Sequence, residues 1–270
     1  MYKLIAIDID DTLITDDKIV TEGTKHALEQ AIAQGVTVTL ATGRMYASAH
    51  KIALQTGLNV PLITYQGSLI KNVLDGHVLY ECAVPHDAAL RLLQYCKEHN
   101  IHLQLYINDH LFAHEENQKL IDYCTLNNNI PYTIEPDLDR LLASPSTKML
   151  MIDEPETLDR IAPELRALLG PDVHITKSKP NFLEVTHRDG TKGNALRFLA
   201  DHFGCKLEET IGIGDSWNDH ELIETAGLGV AMENAVDSLK AIADYITLSN
   251  NDEGVRHAIE KFILNKTHTN

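Results

Sequence analysis

Residues Leu4–Ile9 form a short, almost unbroken apolar run, the pattern of a strand buried on both faces in a parallel sheet. A polar stretch follows. Ala27, Leu28, Ala31 and Ile32 then recur at helical spacing and predict a helix with one apolar stripe, stopped by Gly35. Val36–Ala41 predicts a second buried strand, the segment after Gly43 a helix ending near Gly57, and Pro61–Tyr65 a third strand. The order β-α-β-α-β predicts a doubly wound α/β core.

The pattern then changes. Ser68–Asn72 and His77–Glu81 flank Asp75-Gly76, a hairpin signal. A helix is expected from Pro85 to about His99, and a second hairpin where Ile101–Ile107 and Leu111–His114 alternate around Asn108-Asp109. A helix expected to begin at Glu115-Glu116, a proline-marked loop, a strand at Lys148–Ile152, a helix to Leu169 and a strand near Val173–Lys177 follow. Hairpins mixed with helices predict an α+β module with an antiparallel sheet. From Lys192 the α/β texture returns: a helix to Phe203, a strand at Thr210–Ile213, a helix after Asp219, strands at Leu228–Ala231 and Tyr245–Thr247, and a closing helix at Val255–Leu264. The expected organisation is a discontinuous core, 1–83 and 185–270, with an α+β module at 84–184 inserted into it.

Length fits this plan, since 270 residues are long for one compact core. The charge narrows the partners. With 39 acids against 23 bases the net charge is −16, and such a surface repels nucleic acid and anionic lipid. A small phosphate ester stays admissible, because a local positive site outweighs a distant field that salt screens. Cys82, Cys96, Cys124 and Cys205 form no CxxC pair and read as reduced thiols of a cytoplasmic protein. An acid at Asp8 interrupts any signal-peptide h-region, and no apolar run approaches the length of a membrane span.

Three predicted strand ends carry the candidate chemistry: Asp8-Ile9-Asp10-Asp11-Thr12, Thr42-Gly43-Arg44, and Gly214-Asp215-Ser216-Trp217-Asn218-Asp219. Ligands of open parallel sheets bind outside the carboxyl ends of the strands. Asp8, Asp10, Asp215 and Asp219 would crowd one crevice, where two carboxylates about 6 Å apart repel by roughly 3 kcal/mol at an effective dielectric of 20. A divalent cation removes that cost, and oxygen ligands beside a phosphate favour Mg²⁺. A carboxylate can attack phosphorus to give an acyl phosphate, while Lys192 and the Thr42 hydroxyl supply a charge and a donor to the phosphoryl oxygens. A second acid must serve the leaving group and then water. Asp10 lies two residues beyond Asp8, so its side chain is expected on the same face of the strand.

In order and spacing these segments resemble the four motifs of the haloacid dehalogenase superfamily, and its Cof-type branch in particular. The resemblance covers nearly the whole chain. It includes Asp8-Ile9-Asp10-Asp11-Thr12-Leu13, Ala41-Thr42-Gly43-Arg44, Lys192-Gly193-Asn194-Ala195-Leu196, Gly212-Ile213-Gly214-Asp215-Ser216-Trp217-Asn218-Asp219, Met232-Glu233-Asn234-Ala235 and Asn251-Asp252-Glu253-Gly254-Val255. It implies a Rossmann-like core with an inserted α+β cap of the C2B type, and a Mg²⁺-dependent hydrolase of small phosphorylated metabolites, usually sugar phosphates, with nucleotides, pyridoxal phosphate and flavin mononucleotide as the other substrates of the same branch. It implies Asp8 as nucleophile and Asp10 as general acid/base. Mg²⁺ would be bound by Asp8, the Asp10 carbonyl and Asp215, with Asp219 and Ser216 in support, and the phosphoryl group by Thr42, the amides of Ile9 and Gly43, Lys192 and Asn218. Asp11 departs from the pattern where glycine is commonest, Gln66 where asparagine is, and Trp217 where a small or acidic residue is usual.

Other readings share these residues. A phosphotransferase or mutase would use the same aspartyl phosphate. A phospho-accepting module, or a phosphate-binding protein without turnover, belongs to another class, although receiver domains are about half this length. Trp217 reads as a half-buried packing aromatic, with a ring stacked on substrate as the alternative. Arg44 reads as structural support that positions Thr42, with a contact to substrate as the alternative. The spacings His99/His102 and His110/His114 lack the further ligands of a zinc site. A monomer suffices for every reading.

Overall fold

The computed structural model describes residues 1–58, 60–127 and 129–264. In chain order the chain forms β1 (Leu4–Ile7), α1 (Glu22–Ala33), β2 (Thr37–Leu40), α2 (Tyr46–Gln55), β3 (Leu62–Thr64), β4 (Leu69–Lys71) and β5 (Val78–Glu81). It continues with α3 (His86–His99), β6 (His102–Ile107), β7 (His110–Ala113), α4 (Gln118–Leu126), β8 (Tyr132–Ile134), α5 (Leu138–Leu141), β9 (Lys148–Ile152), α6 (Pro155–Leu169), β10 (Val173–Lys179) and β11 (Phe182–His187). It ends with α7 (Lys192–His202), β12 (Thr210–Gly214), α8 (His220–Thr225), β13 (Leu228–Ala231), α9 (Asp237–Lys240), β14 (Tyr245–Ile246) and α10 (Gly254–Phe262).

One sheet, in the order β14-β13-β12-β1-β2, is parallel throughout. Strand β1, flanked by β12 and β2, is Leu-Ile-Ala-Ile, and no side chain of it reaches solvent. Each such aliphatic chain contributes about 1.5–3 kcal/mol on burial, which is why a run without polar alternation settles between two helical layers. Ile7 pairs with both Ile213 and Leu40. The register brings the carboxyl ends of β1, β2 and β12 to one level, so Asp8, Thr42 and Asp215 leave the sheet side by side.

A second sheet, in the order β10-β11-β9-β6-β7-β8, lies in sequence between β5 and α7 and is antiparallel except where β7 meets β8. Helices α3 and α6 cover one of its faces through Leu92, Leu93, Leu158, Ile161 and Leu165, packed on Leu103, Leu105, Met149 and Met151. Strand β11, with no counterpart in the pattern analysis, continues to His187, beyond the expected boundary at residue 184. Residues 183–186 alternate apolar and polar side chains, yet Glu184 and Thr186 are buried with the rest, so the alternation here marks no solvent face. Short β8 was equally invisible.

Three other expectations change. The segment 61–65 meets the parallel sheet only at its edge: a parallel bridge between Ala41 and Ile63, with Thr42 N–H donating to Ile63 O at 2.9 Å, places it beside the end of β2, while its ladder, β3 with β4, is antiparallel. Ile32 falls outside the buried stripe of α1, at 42% exposed, and Thr24 takes the inner face with Ala27, Leu28 and Ala31. Helix α4 starts after Asn117, whose side chain accepts from the Leu120 amide, rather than at Glu115-Glu116. Among the described residues no helix is long and apolar enough to cross a membrane.

Candidate active site

Strand β1 ends at Ile7, and residues Ile9–Leu13 wind into one wide turn in which Leu13 N–H donates to Asp8 O (3.2 Å) and Ile14 N–H to Ile9 O (3.0 Å). The turn needs a left-handed residue, and Asp11 supplies it at φ 58°. Aspartate tolerates that region better than most side chains, so an acid stands where glycine is commonest without breaking the turn. Asp10 itself is extended (φ −75°, ψ 130°), but the turn opens one residue earlier, at Ile9, so strand alternation alone does not set its direction. The turn does, and both Asp8 and Asp10 line the crevice.

Lys192 is the first residue of α7. The Thr191 hydroxyl caps that helix by accepting from Asn194 N–H at 3.2 Å. The ammonium is fully buried and bridges two carboxylates, Asp8 Oδ1 at 2.5 Å and Asp219 Oδ1 at 2.6 Å. The other Asp219 oxygen accepts from the amides of Asp215 and Ser216, both at 3.0 Å, and so fixes the turn after β12. Gly214 makes room, since a Cβ there would lie 2.4 Å from the Asp219 carboxyl carbon. Asp215 accepts from the Thr12 hydroxyl at 2.5 Å. Oxygens of Asp8, Asp215 and Asp219 all lie within 4.8 Å of one another.

Burial pushes the Asp8 carboxyl up to about 8 against the pull of Lys192, and Asp219 and Asp10 add to the rise. Burial, reinforced by Asp8 and Asp219, lifts Asp215 well above the carboxylate range. Lys192 moves up as well, because its two carboxylates outweigh its desolvation. The pocket thus holds more negative charge than one ammonium balances.

Thr42 and Gly43 follow β2. The Thr42 hydroxyl accepts from Arg44 N–H at 3.1 Å. Gly43 packs against Gln66, and a Cβ there would meet the buried Gln66 amide at 2.3 Å. Asn218 Nδ2 donates to Gln66 Oε1 at 2.9 Å. Asn218 Oδ1 and Gln66 Nε2 are buried without protein partners. Ser216 Oγ donates to Ser178 O at 3.1 Å, and Ile9 buries its side chain in the core below.

Every proposed site residue with a polar side chain falls in or directly behind this crevice. The pairing of Arg44 with Asp10 and the approach of the second sheet were not foreseen. Arg44, almost fully buried, grips both Asp10 oxygens at 2.7 Å and donates to Ser48 Oγ at 2.9 Å. Burial alone would raise the Asp10 carboxyl, but Arg44 outweighs it and holds Asp10 below its ordinary value. The second sheet contributes Lys148, Glu184 and Lys179, the last paired with Asp11 at 2.8 Å. A lysine heading the apolar run Met149–Ile152 was the one sequence signal for Lys148. Trp217 is 36% exposed, lies outside the crevice lining, and has Lys177 Nζ 5.8 Å from its ring. Of the histidines, His102 is bonded through Nδ1 to the Asn117 side chain, and His110 and His114 to backbone carbonyls. Among the described residues the acid triad above is the sole group of three or more potential ligands close enough to hold a metal ion.

Comparison with known proteins identifies the family. The family model of haloacid dehalogenase-like hydrolases matches residues 5–259. M6_Spy0533 of Streptococcus pyogenes is 35% identical over 268 residues, covering 97% of this chain and 99% of its own. The Bacillus subtilis 5-amino-6-(5-phospho-D-ribitylamino)uracil phosphatase YitU is 30% identical over 268 residues, covering 96% and 97%. Among solved structures, the subclass IIB sugar phosphatase BT4131 superposes with a TM-score of 0.86 at 27% identity, covering 96% of this chain and 98% of its own. A parallel-sheet core with an acid cluster at its carboxyl edge defines the class, and the chain belongs to the haloacid dehalogenase superfamily, in its Cof-type branch. It is a phosphatase.

Proposed function

We propose that the protein hydrolyses small phosphorylated sugars or polyols through an aspartyl phosphate on Asp8, with Mg²⁺ as cofactor. The observation that carries this reading is the buried chain Asp8–Lys192–Asp219, with links of 2.5 and 2.6 Å, beside Asp215. It puts a carboxylate nucleophile, a cation and surplus negative charge at one strand end.

The donor set fits Mg²⁺. It consists of hard oxygens, and the raised Asp215 carboxyl marks charge that a cation would balance. Asp8, the Asp10 carbonyl and Asp215 would hold the ion, with Ser216 and Asp219 behind them. Bound there, Mg²⁺ neutralises charge on the phosphoryl oxygens.

The chain's own residues do the rest. Lys192, Thr42, Asn218 and the amides of Ile9 and Gly43 hold the phosphoryl group. An Asp8 oxygen forms a bond to phosphorus as the ester P–O bond breaks, and Asp10 gives its proton to the departing oxygen. Asp10 then takes a proton from water as that water attacks phosphorus, releasing inorganic phosphate and the Asp8 carboxylate. Arg44 favours the ionised Asp10 needed in the second half. The arriving phosphoryl anion favours the protonated form needed in the first.

The segment from Val84 to the loop at 188–191 serves as a cap over this crevice. Support for the substrate class comes from YitU and BT4131, whose names specify a ribitylamino-uracil phosphate and sugar phosphates. The four unpaired cysteines support a cytoplasmic location. Phosphate release from an aryl phosphate, without added acceptor, tests the reaction. It should require Mg²⁺ and vanish in Asp8→Asn. Activity surviving that change removes Asp8 as the nucleophile, and an absolute need for an acceptor alcohol would make the protein a phosphotransferase.

A further inference from the structure

Lys148 opens strand β9 of the second sheet, yet it works at the first. Its ammonium is buried and donates to the Gly43 carbonyl at 2.7 Å, across 105 positions of sequence. Glu184 on neighbouring β11 holds it from the other side, with Oε2 at 2.8 Å, and both side chains are buried. The Tyr106 ring lies 4.8 Å from the ammonium, and Glu184 Oε1 is held in turn by the Ser178 hydroxyl. A lysine fixed this well is expensive to bury and needs its partners. Its far partner is the carbonyl of the residue between Thr42 and Arg44. Gly43 has no side chain to brace that turn, and Thr42 Oγ is already tied to the Arg44 amide.

We propose that Lys148 is a positioning residue: from the cap it fixes the Gly43 peptide, and through it the Thr42–Arg44 turn, in the orientation that receives the phosphoryl group. Glu184 orients Lys148. Seating of the cap and completion of the phosphoryl site are then one event, since the turn is braced only while β9 lies against it. Lys148 acts on every substrate alike, because it acts on the part all phosphate esters share.

This inference rests on the assignment of Thr42 and Gly43 to the phosphoryl group. Steady-state kinetics of Lys148→Met on an aryl phosphate and on a sugar phosphate, with inorganic phosphate as product inhibitor and thermal unfolding alongside, tests it. A loosened turn misplaces the reacting group, and such displacements cost up to about 100-fold in rate. The expected result is a kcat lower by about 10- to 100-fold on both esters, with KM changed less, and a weaker inhibition by inorganic phosphate. The double variant Lys148→Met/Glu184→Gln removes both buried charges. It should recover melting temperature without recovering kcat, and it serves if the single variant does not fold. Recovery of kcat with stability would show a purely structural pair and overturn the proposal. A loss confined to the sugar phosphate would also overturn it, making Lys148 a leaving-group contact. An unchanged phosphate inhibition constant would do the same. Retained turnover in Asp8→Asn is a separate result, which strikes the nucleophile and not Lys148.

Discussion

Replacing Lys192 by Met removes the one cation among three buried acids. Asp8 and Asp219 oxygens lie within 4.8 Å of each other, so their bare repulsion is about 3 kcal/mol at an effective dielectric of 20. Stripping one partner from a buried ion pair costs about 3–5 kcal/mol in general, and Lys192 is fully buried with two partners. A native fold has about 5–15 kcal/mol to lose. At about 2–4 °C per kcal/mol for a chain near this size, the melting temperature above pH 8, where Asp8 is ionised, should fall by about 6–20 °C. Thermal unfolding followed by circular dichroism, in chelator and again in excess Mg²⁺, reads this directly. The loss should shrink in Mg²⁺, which replaces the missing positive charge, and at lower pH, where protonation of Asp8 relieves the repulsion. A variant that melts within 2 °C of the parent in chelator would refute the electrostatic reasoning. So would a loss of the same size at pH 5 and pH 9.

Other predictions follow from neighbouring groups. Without metal, burial holds Asp8 up at about 8 against 3.8 for the free side chain, so the folded state keeps a proton that the unfolded chain releases. That contribution to stability is full below 3.8 and disappears as pH rises to about 8. Mg²⁺ must displace the proton, so calorimetric affinity should strengthen from pH 6 to 8 with proton release, and a pH-independent affinity would contradict it. Arg44→Met removes the group that holds Asp10 low. The limb of the kcat pH profile that reports Asp10 ionisation should move to higher pH, and an unmoved limb would sever Asp10 from that limb. His102 is pushed down to about 4, mainly by burial with Lys119 adding to it, from an ordinary 6.5. Its contribution is whole above 6.5 and is lost as pH falls to 4, at most about 3 kcal/mol. Urea unfolding of His102→Asn should lose less stability over that window than the parent, and parallel curves would show His102 is not responsible.

Sequence alone determined much of this protein. Apolar runs without alternation marked β1 and β12 as buried parallel strands, and the acids immediately after them had to gather at the carboxyl edge of the sheet. Local chemistry, such as Gly35 at the end of α1, set an element end because such a signal acts within a turn or two of chain. Only tertiary structure decided the rest. Asp10 faces the crevice by virtue of a wide turn and not of strand period. Arg44 meets Asp10 across 34 positions, and Lys148 meets Gly43 across 105. Segment 61–65 joins the edge of the parallel sheet at Ala41–Ile63 and carries antiparallel β4 on its own ladder. Periodicity reports which face of an element is apolar; it says nothing about which distant element will fill that face. The pairings of buried charge, which set the electrostatics of the crevice, exist only once two sheets far apart in sequence have closed on one another.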